Sequence, residues 1–312
     1  HRKYSIGQLV KYAAIVMIPL LSAIYWLQLE KDEIPSQMAV GNPGIMPGEH
    51  KAMLITAQGQ TIALLPSLER DICVQEDLVV KNGQAGIVYQ DSKKAVSTLQ
   101  YNTLKTPRGG EYTVVLSDGT KVYLNAASEL KYPVQFDSKK RQVHLSGEAY
   151  FEVAKDECRP FFVQAGDVRI RVLGTSFNVT SYPERERIET TLEQGRIQIT
   201  NGKEQVNVVP GEQVVYNKKN DRFEVKLIDT KLYTSWKDGY YKFDQMTLEE
   251  IMETLALWYD LNVFYANAEV KSLEFTGRLR RYDRVEGLFK KIEQTDLVEF
   301  ELNGKNVVIR KK

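Results

Sequence analysis

The chain has 312 residues, enough for roughly two domains of about 100 to 200 residues each. Its 42 Lys and Arg residues against 41 Asp and Glu residues leave a net charge of +1, so no global field would attract a nucleic-acid backbone, and nucleic acid is excluded as an expected partner. A hydrophobic share of 43% and a charged share of 27% are typical of a globular protein and exclude a disordered or collagen-like chain.

The first predicted element is a membrane-spanning helix over residues 12–29. No residue in this run is charged, and its length is close to the roughly 20 apolar residues that a helix needs to cross a bilayer. Arg2, Lys3 and Lys11 precede the run, so the positive-inside rule predicts that the chain after the span lies outside the cytoplasm. A cleaved signal peptide and a buried helix are the alternatives, but the run is longer than a usual signal-peptide core and no A-x-A-like site follows it.

The segments on either side of the span have distinct characters. Residues 1–11 are expected to be a cytoplasmic stub. Residues 30–49 contain prolines and glycines without periodicity, which predicts a linker between the membrane and the folded part. Folded sequence is expected from His50 onward.

Residues 50–235 are predicted to be β-rich, because short runs of Val, Ile, Thr, Tyr and Phe are separated by glycine turns about every 8 to 12 residues. The clearest hairpin spans Tyr112 to Asn125, where an Asp-Gly pair forms the turn. Residues 55–64 resemble residues 115–124, an offset of 60, whereas a second pair of similar segments is offset by 46. Unequal offsets favour an irregular, solenoid-like stack of antiparallel hairpins, and the lack of helices excludes a doubly wound parallel sheet.

Residues 236–312 are predicted to form a small α+β domain of two repeated βα units. Thr247 to Glu250 is a capping box that starts a helix, and Asp283 is expected to cap a second helix. An Asn-Gly turn at residues 303–304 closes the last hairpin. The expected fold class is therefore mainly β, with one transmembrane helix and an α+β C-terminal domain.

Five motifs in this order resemble the FecR family of transmembrane sigma-factor regulators. They are TPRGGEY (Thr106 to Tyr112), LSDGTKVYLNAASEL (Leu116 to Leu130), GEAYFEV (Gly147 to Val153), PFFVQ (Pro160 to Gln164) and VLGTSFNV (Val172 to Val179). The last 75 or so residues are similar to the C-terminal domain of Bacteroidetes members, which is related to the secretin and TonB short N-terminal domain.

The resemblance implies a relay in the cell inner membrane, single-pass, with its C-terminal part in the periplasm. Its expected partners are the signalling domain of an outer-membrane TonB-dependent transporter and an extracytoplasmic-function sigma factor. The family's sigma-binding segment precedes the span. Since almost nothing precedes the span here, that segment is expected to lie upstream of His1.

A basic cluster in the C-terminal domain is the candidate partner-binding site. It comprises Arg278, Arg280, Arg281 and Arg284, which suit an acidic protein face. A solvated charged surface is the alternative, and an exposed edge strand that accepts a partner strand is a second docking mode.

Catalysis is not expected, and neither is a metal or cofactor, because the three histidines have no metal-ligand spacing and no evident nucleophile partner. Since some FecR relatives cleave themselves, the Gly174–Thr175 bond is a candidate for attack by the Thr175 hydroxyl, and a tight turn is the alternative. Cys73 and Cys158 are candidates for a disulfide.

Two other classes of protein compete with the relay. One is an extracytoplasmic glycan-binding or envelope protein, for which Trp236 and Trp258 would be suitable, and the other is a membrane-tethered hydrolase.

Overall fold

The computed structural model describes residues 44–65, 70–75, 78–83, 86–89 and 99–312. The predicted stub at 1–11, the predicted span at 12–29 and most of the predicted linker lie outside these residues. Within the described residues, no helix combines the length and the apolar character needed to cross a membrane. The chain from Ile45 to Lys312 forms one compact unit, and its packing begins five residues before His50.

The fold is mainly β, as the sequence predicts, and residues 49–227 are called the β part below. Its strands are β1 (Glu49–His50), β2 (Ala52–Ile55), β3 (Thr61–Leu64), β4 (Arg70–Gln75), β5 (Leu78–Gly83), β6 (Gly86–Tyr89), β7 (Tyr101–Thr106), β8 (Gly110–Val115), β9 (Lys121–Leu124), β10 (Ser128–Pro133), β11 (Arg141–Glu152), β12 (Phe161–Ala165), β13 (Val168–Val172), β14 (Ser176–Ser181), β15 (Arg187–Gln194), β16 (Ile197–Thr200), β17 (Gln205–Val208), β18 (Glu212–Asn217) and β19 (Arg222–Leu227).

Strands β2 to β19 form two sheets that enclose one apolar core, and β1 pairs with the start of β8. The first sheet has the order β3-β2-β7-β10-β11-β12-β13-β16-β17. The second has the order β4-β5-β6-β8-β9-β11-β14-β15-β18-β19. Side chains of both sheets interdigitate, and the ring centroids of Phe151 and Phe161 lie 6.3 Å apart across the core. Most pairs are antiparallel, but β11 with β12, β6 with β8 and β1 with β8 are parallel, which a simple stack of hairpins does not predict.

Strand β11 belongs to both sheets. Residues up to Ser146 pair with β10 and β12, and residues from Gly147 onward pair with β9 and β14. Gly147 has φ +99°, and a Cβ at this position would lie 2.6 Å from the Cα of Ser128. The turn from one sheet to the other therefore requires glycine at this residue.

The two similar segments found in the sequence form matching hairpins. In β2–β3, Gly59 has φ +83° and donates its N–H to the carbonyl of Thr56. In β8–β9, Gly119 has φ +84° and donates to the carbonyl of Leu116 in the same way. The resemblance between residues 55–64 and 115–124 therefore extends to turn geometry and pairing.

Residues 231–312, called the C-terminal part below, are mixed helix and strand. The elements are α1 (Lys231–Thr234), β20 (Tyr240–Thr247), α2 (Leu248–Tyr259), β21 (Asn262–Tyr265), β22 (Glu274–Arg280), α3 (Val285–Glu293), β23 (Val298–Asn303) and β24 (Asn306–Lys311), with 3₁₀ turns at Ser235–Asp238 and Ala268–Ser272. β20 pairs with β22, and β21, β24 and β23 form a second small sheet.

The helix starts in this part follow different rules. The capping box of α2 is present, since the Thr247 hydroxyl accepts from the Glu250 N–H and the Glu250 carboxylate accepts from the Thr247 N–H. The predicted cap of α3 by Asp283 is wrong. Arg284 occupies the N-cap position without a side-chain hydrogen bond, and Asp283 lies one residue too early to cap the first turn.

Candidate functional site: a buried polar junction

The C-terminal part covers the outer face of the second sheet, where polar side chains of neighbouring strands converge. Strand alternation directs one set of side chains into the core and the other set outward. On the outward face lie Glu111 of β8, Asn125 directly after β9, Glu148 of β11 and Asn178 of β14. Ala126 and Tyr150 of the β part also belong to the apolar cluster of the C-terminal part, so this face is buried.

Arg281, which follows β22, supplies the positive charge at this junction. Its side chain is 0% exposed, and its Nη2 lies 2.9 Å from Oε2 of Glu111, whose side chain is 7% exposed. Arg281 Nη2 also donates to Asn125 Oδ1 at 2.6 Å, and Nη1 donates to the Tyr241 hydroxyl at 2.8 Å. The guanidinium therefore joins two residues of the β part to one of the C-terminal part.

Aromatic rings surround the guanidinium of Arg281. Its Cζ lies 3.7 Å from the ring centroid of Trp258 and 5.3 Å from that of Trp236. Burial acts to lower the pKa of Arg281, but the interactions with Tyr241 and Glu111 outweigh it and raise the pKa above the ordinary value. Arg281 remains charged at every physiological pH, although its Nε has no hydrogen-bond partner among the described residues.

A second set of hydrogen bonds lies beside Arg281. The Glu148 carboxylate accepts from Asn125 Nδ2 at 2.7 Å, from Asn178 Nδ2 at 2.9 Å and from the Thr180 hydroxyl at 3.2 Å. The Asn178 Oδ1 in turn accepts from the indole N–H of Trp236 at 3.1 Å. Asn125 contacts both Glu148 and Arg281, so the two sets form one network across the junction.

Further contacts, most of them exposed, surround this network. Arg187 Nη2 lies 3.0 Å from Glu250 Oε1, and Arg108 Nε lies 2.8 Å from Asp260 Oδ1. Glu193 accepts hydrogen bonds from Tyr150 and, at 2.6 Å, from Lys231. A polar cavity of about 390 Å³ lies between the two parts, next to Glu148. Exposed ion pairs contribute little to stability, so the buried network is the stronger link.

The four arginines of the predicted partner-binding cluster do not share one environment. Arg278, Arg280 and Arg284 are exposed, and the guanidinium of Arg278 stacks 3.7 Å from the ring centroid of Tyr240. Arg281 is buried in the junction and offers no charge to an outside partner. Arg280 is exposed and Arg281 is buried because adjacent residues at the end of β22 face opposite sides of the sheet.

The other candidate residues have ordinary environments. Gly174 and Thr175 lie in the bend between β13 and β14, and the Thr175 side chain is buried and donates to the Arg196 carbonyl at 3.1 Å. Gly174 does not have a positive φ. Cys158, one of the two cysteines of the candidate disulfide, is free and exposed. Within the described residues, no group of three or more His, Cys, Asp or Glu side chains is arranged to hold a metal ion.

Two family models cover both sides of the junction. The model described as FecR protein matches residues 102–198, and the model described as FecR, C-terminal matches residues 240–309. The chain belongs to the FecR family. The matched segments of this FecR chain make up more than half of its length, and they include Glu111, Asn125, Glu148, Asn178 and Arg281.

Two crystal structures of a candidate anti-sigma factor from Parabacteroides distasonis ATCC 8503 are similar to the FecR chain. One is 27% identical, with a TM-score of 0.62 over 67% of this chain and 99% of the relative. The other is 26% identical, with a TM-score of 0.62 over 68% of this chain and 99% of the relative. No curated protein matches the chain.

The junction was not predicted from the sequence, although several of its residues lie in the motifs that carry the family resemblance. Glu111 is in TPRGGEY, Glu148 is in GEAYFEV and Asn178 is in VLGTSFNV. Each is a polar residue on the outward face of a strand, where solvent exposure is the ordinary expectation. Their recurrence on adjacent strands is a signal, but only the strand order shows that they meet.

Proposed function

We propose that this FecR protein regulates an extracytoplasmic-function sigma factor from the inner membrane, in response to a TonB-dependent transporter of the outer membrane. Family membership and the relatives described as candidate anti-sigma factors support the sigma-factor regulatory role. The periplasmic placement of residues 50–312 follows from the charge distribution around residues 12–29.

The observation that carries the relay is the buried junction. The second sheet and the C-terminal part share one charged network through Arg281, Glu111 and Asn125. Removing one partner of a buried ion pair leaves an uncompensated charge, so the two parts are strongly coupled. A partner that displaces the C-terminal part therefore alters the environment of the β part.

The docking site that we favour is the exposed basic surface formed by Arg278, Arg280 and Arg284. Charges on an exposed face steer association and select an oppositely charged partner. An acidic face of the transporter's signalling domain would suit this surface. Strand β21 ends its sheet and offers the alternative mode, the addition of a partner strand along its free edge.

The test is binding of the full chain, in detergent, to the N-terminal signalling domain of a TonB-dependent transporter encoded beside it. The double variant Arg278→Glu with Arg280→Glu is expected to weaken binding by about 100-fold or more, since two attractive contacts become repulsive. The matched control is Arg222→Glu, an exposed arginine on β19, which should bind as wild type does.

Two outcomes would change the proposal. Loss of affinity in the control alone would move docking to the β part, and absence of binding by the wild-type chain would remove the transporter from the proposal. The sigma-factor role has a separate test. Deleting the gene should change transcription from promoters of the neighbouring sigma factor, and unchanged transcription would contradict that role.

A further inference from the structure

A short extended segment at the start of the compact unit is held between the two parts of the molecule. This segment, Ile45–His50, is called the strap. The Ile45 N–H donates to Glu286 Oε1 at 2.6 Å, and the Ile45 carbonyl accepts from the Val285 N–H at 3.4 Å. Both partners belong to the first turn of α3, so the C-terminal part holds the first residue of the strap.

The middle of the strap packs tightly against Trp258. A Cβ at Gly48 would lie 2.6 Å from two ring atoms of Trp258, so only glycine fits at this distance. The next residue, Glu49, donates its N–H to the Gly109 carbonyl at 3.0 Å, and Gly109 donates to the Leu257 carbonyl at 2.9 Å. The strap and the turn before β8 are therefore both fixed to the end of α2.

The last residues of the strap contact the junction itself. β1 runs parallel to β8, with His50 opposite Glu111. His50 Nε2 lies 3.2 Å from Glu111 Oε1, and Glu111 Oε2 lies 2.9 Å from Arg281. The Tyr282 hydroxyl also donates to Glu111 Oε1, at 2.7 Å. The carboxylate of Glu111 on β8 thus contacts both the strap, through His50, and the C-terminal part, through Arg281 and Tyr282.

We propose that the C-terminal part clamps the strap, and that displacement of the C-terminal part releases residues 45–50 and so transmits the signal to the chain that precedes Ile45. This inference rests on the proposed function for the signal itself, but the clamp is a property of the structure alone. The strap makes its contacts with α3, Trp258 and Glu111 simultaneously, so a movement that separates α3 from β8 has to break one set of them.

Hydrogen exchange of the full chain in detergent, read by mass spectrometry, tests the clamp. Glu286→Ala removes the acceptor of the Ile45 N–H, and Gly48→Ala places a methyl group against Trp258 while every residue of the C-terminal part stays as in wild type. In both variants, peptides that cover residues 44–51 should exchange about tenfold faster or more. In Glu286→Ala the strap loses a hydrogen bond to a charged group, and in Gly48→Ala the added methyl group overlaps the ring of Trp258. Glu299→Ala, an exposed glutamate on β23, is the matched control and should exchange as wild type does.

Strap protection equal to wild type in both variants would overturn the proposal. Faster exchange throughout α3 in Glu286→Ala would reflect damage to that helix, and Gly48→Ala then decides the question.

A sigma-dependent reporter in cells tests the signalling step. Because release of the strap is the proposed signal, Glu286→Ala should bring the reporter towards its induced level without the inducing signal, so that its induction ratio falls by at least about tenfold while it still binds the partner. A normal induction ratio with a loosened strap would show that the strap does not transmit. A wild-type reporter without any response contradicts the proposed function and leaves the exchange result intact.

Discussion

Replacing Arg281 by methionine removes the charge of the junction and keeps most of the side-chain length against Trp258. Glu111 is then left buried without its cation, and Asn125 and Tyr241 each lose a hydrogen-bond partner. Removal of one partner from a buried pair costs about 3 to 5 kcal/mol. We expect Arg281→Met to lower the free energy of unfolding by that amount, whereas the exposed Arg280→Met should change it by less than about 0.5 kcal/mol.

Urea unfolding of the full chain in detergent measures this change, and tryptophan emission is a suitable probe because Trp236 and Trp258 both lie against Arg281. Adding Glu111→Gln to Arg281→Met removes the orphaned charge, so the double variant should recover about 1 to 3 kcal/mol relative to the sum of the single variants. A cost for Arg281→Met below about 1 kcal/mol, or strict additivity of the two changes, would refute the reasoning that this pair joins the two parts.

Three further predictions concern other parts of the chain. Gly147→Ala should lower the free energy of unfolding by more than about 2 kcal/mol, because φ is positive and the methyl group would overlap Ser128. Gly59→Ala should lower it by only about 1 kcal/mol, because φ is positive but the space around the residue is open, and thermal unfolding measures both changes. The pKa of Glu193 lies below its ordinary value of 4.5, because hydrogen bonds from a lysine and a tyrosine outweigh the opposing effect of burial. The ionised carboxylate therefore stabilises the fold above pH 4.5, and this stabilisation is lost as the pH falls through the lowered pKa. Glu193→Gln should therefore be less stable than wild type at pH 7, and the difference should shrink in an acid titration. The chain should not cleave itself at Gly174–Thr175, because the Thr175 hydroxyl donates a hydrogen bond to the Arg196 carbonyl. Mass spectrometry of the intact protein should therefore show one full-length species, and a fragment that ends at Gly174 would contradict this.

Local features of the fold could be predicted from the sequence because they depend on a few neighbouring residues. The capping box at Thr247 and Glu250 is present, and so is the last hairpin. Its turn lies one residue later than predicted, since Asn303 pairs with Asn306 and the loop consists of Gly304 and Lys305. Strand β20 was not predicted, because its residues Tyr240–Thr247 include Asp and Gln that break the apolar alternation, and its pairing partner β22 begins only at Glu274.

The candidate site could not be predicted in the same way, because its contacts join residues far apart in sequence. Arg281 and Asn125 are separated by 156 positions. Four arginines close together in sequence predict a basic surface, and three of them are exposed as that prediction requires. The fourth turns inward, and only the arrangement of Glu111, Trp258 and Tyr241 around it explains why burial of its charge is tolerated.

The shared strand β11 also determines where relatives of this protein can differ in length. Side chains alternate along a strand, so one inserted or deleted residue moves every following side chain to the opposite face. Within Arg141–Glu152 such a change would expose the core residues of both sheets and turn Glu148 away from Asn125. Alignments of relatives should therefore contain no gaps across β11, whereas the exposed turn at residues 201–204 can lengthen or shorten without consequence for either sheet.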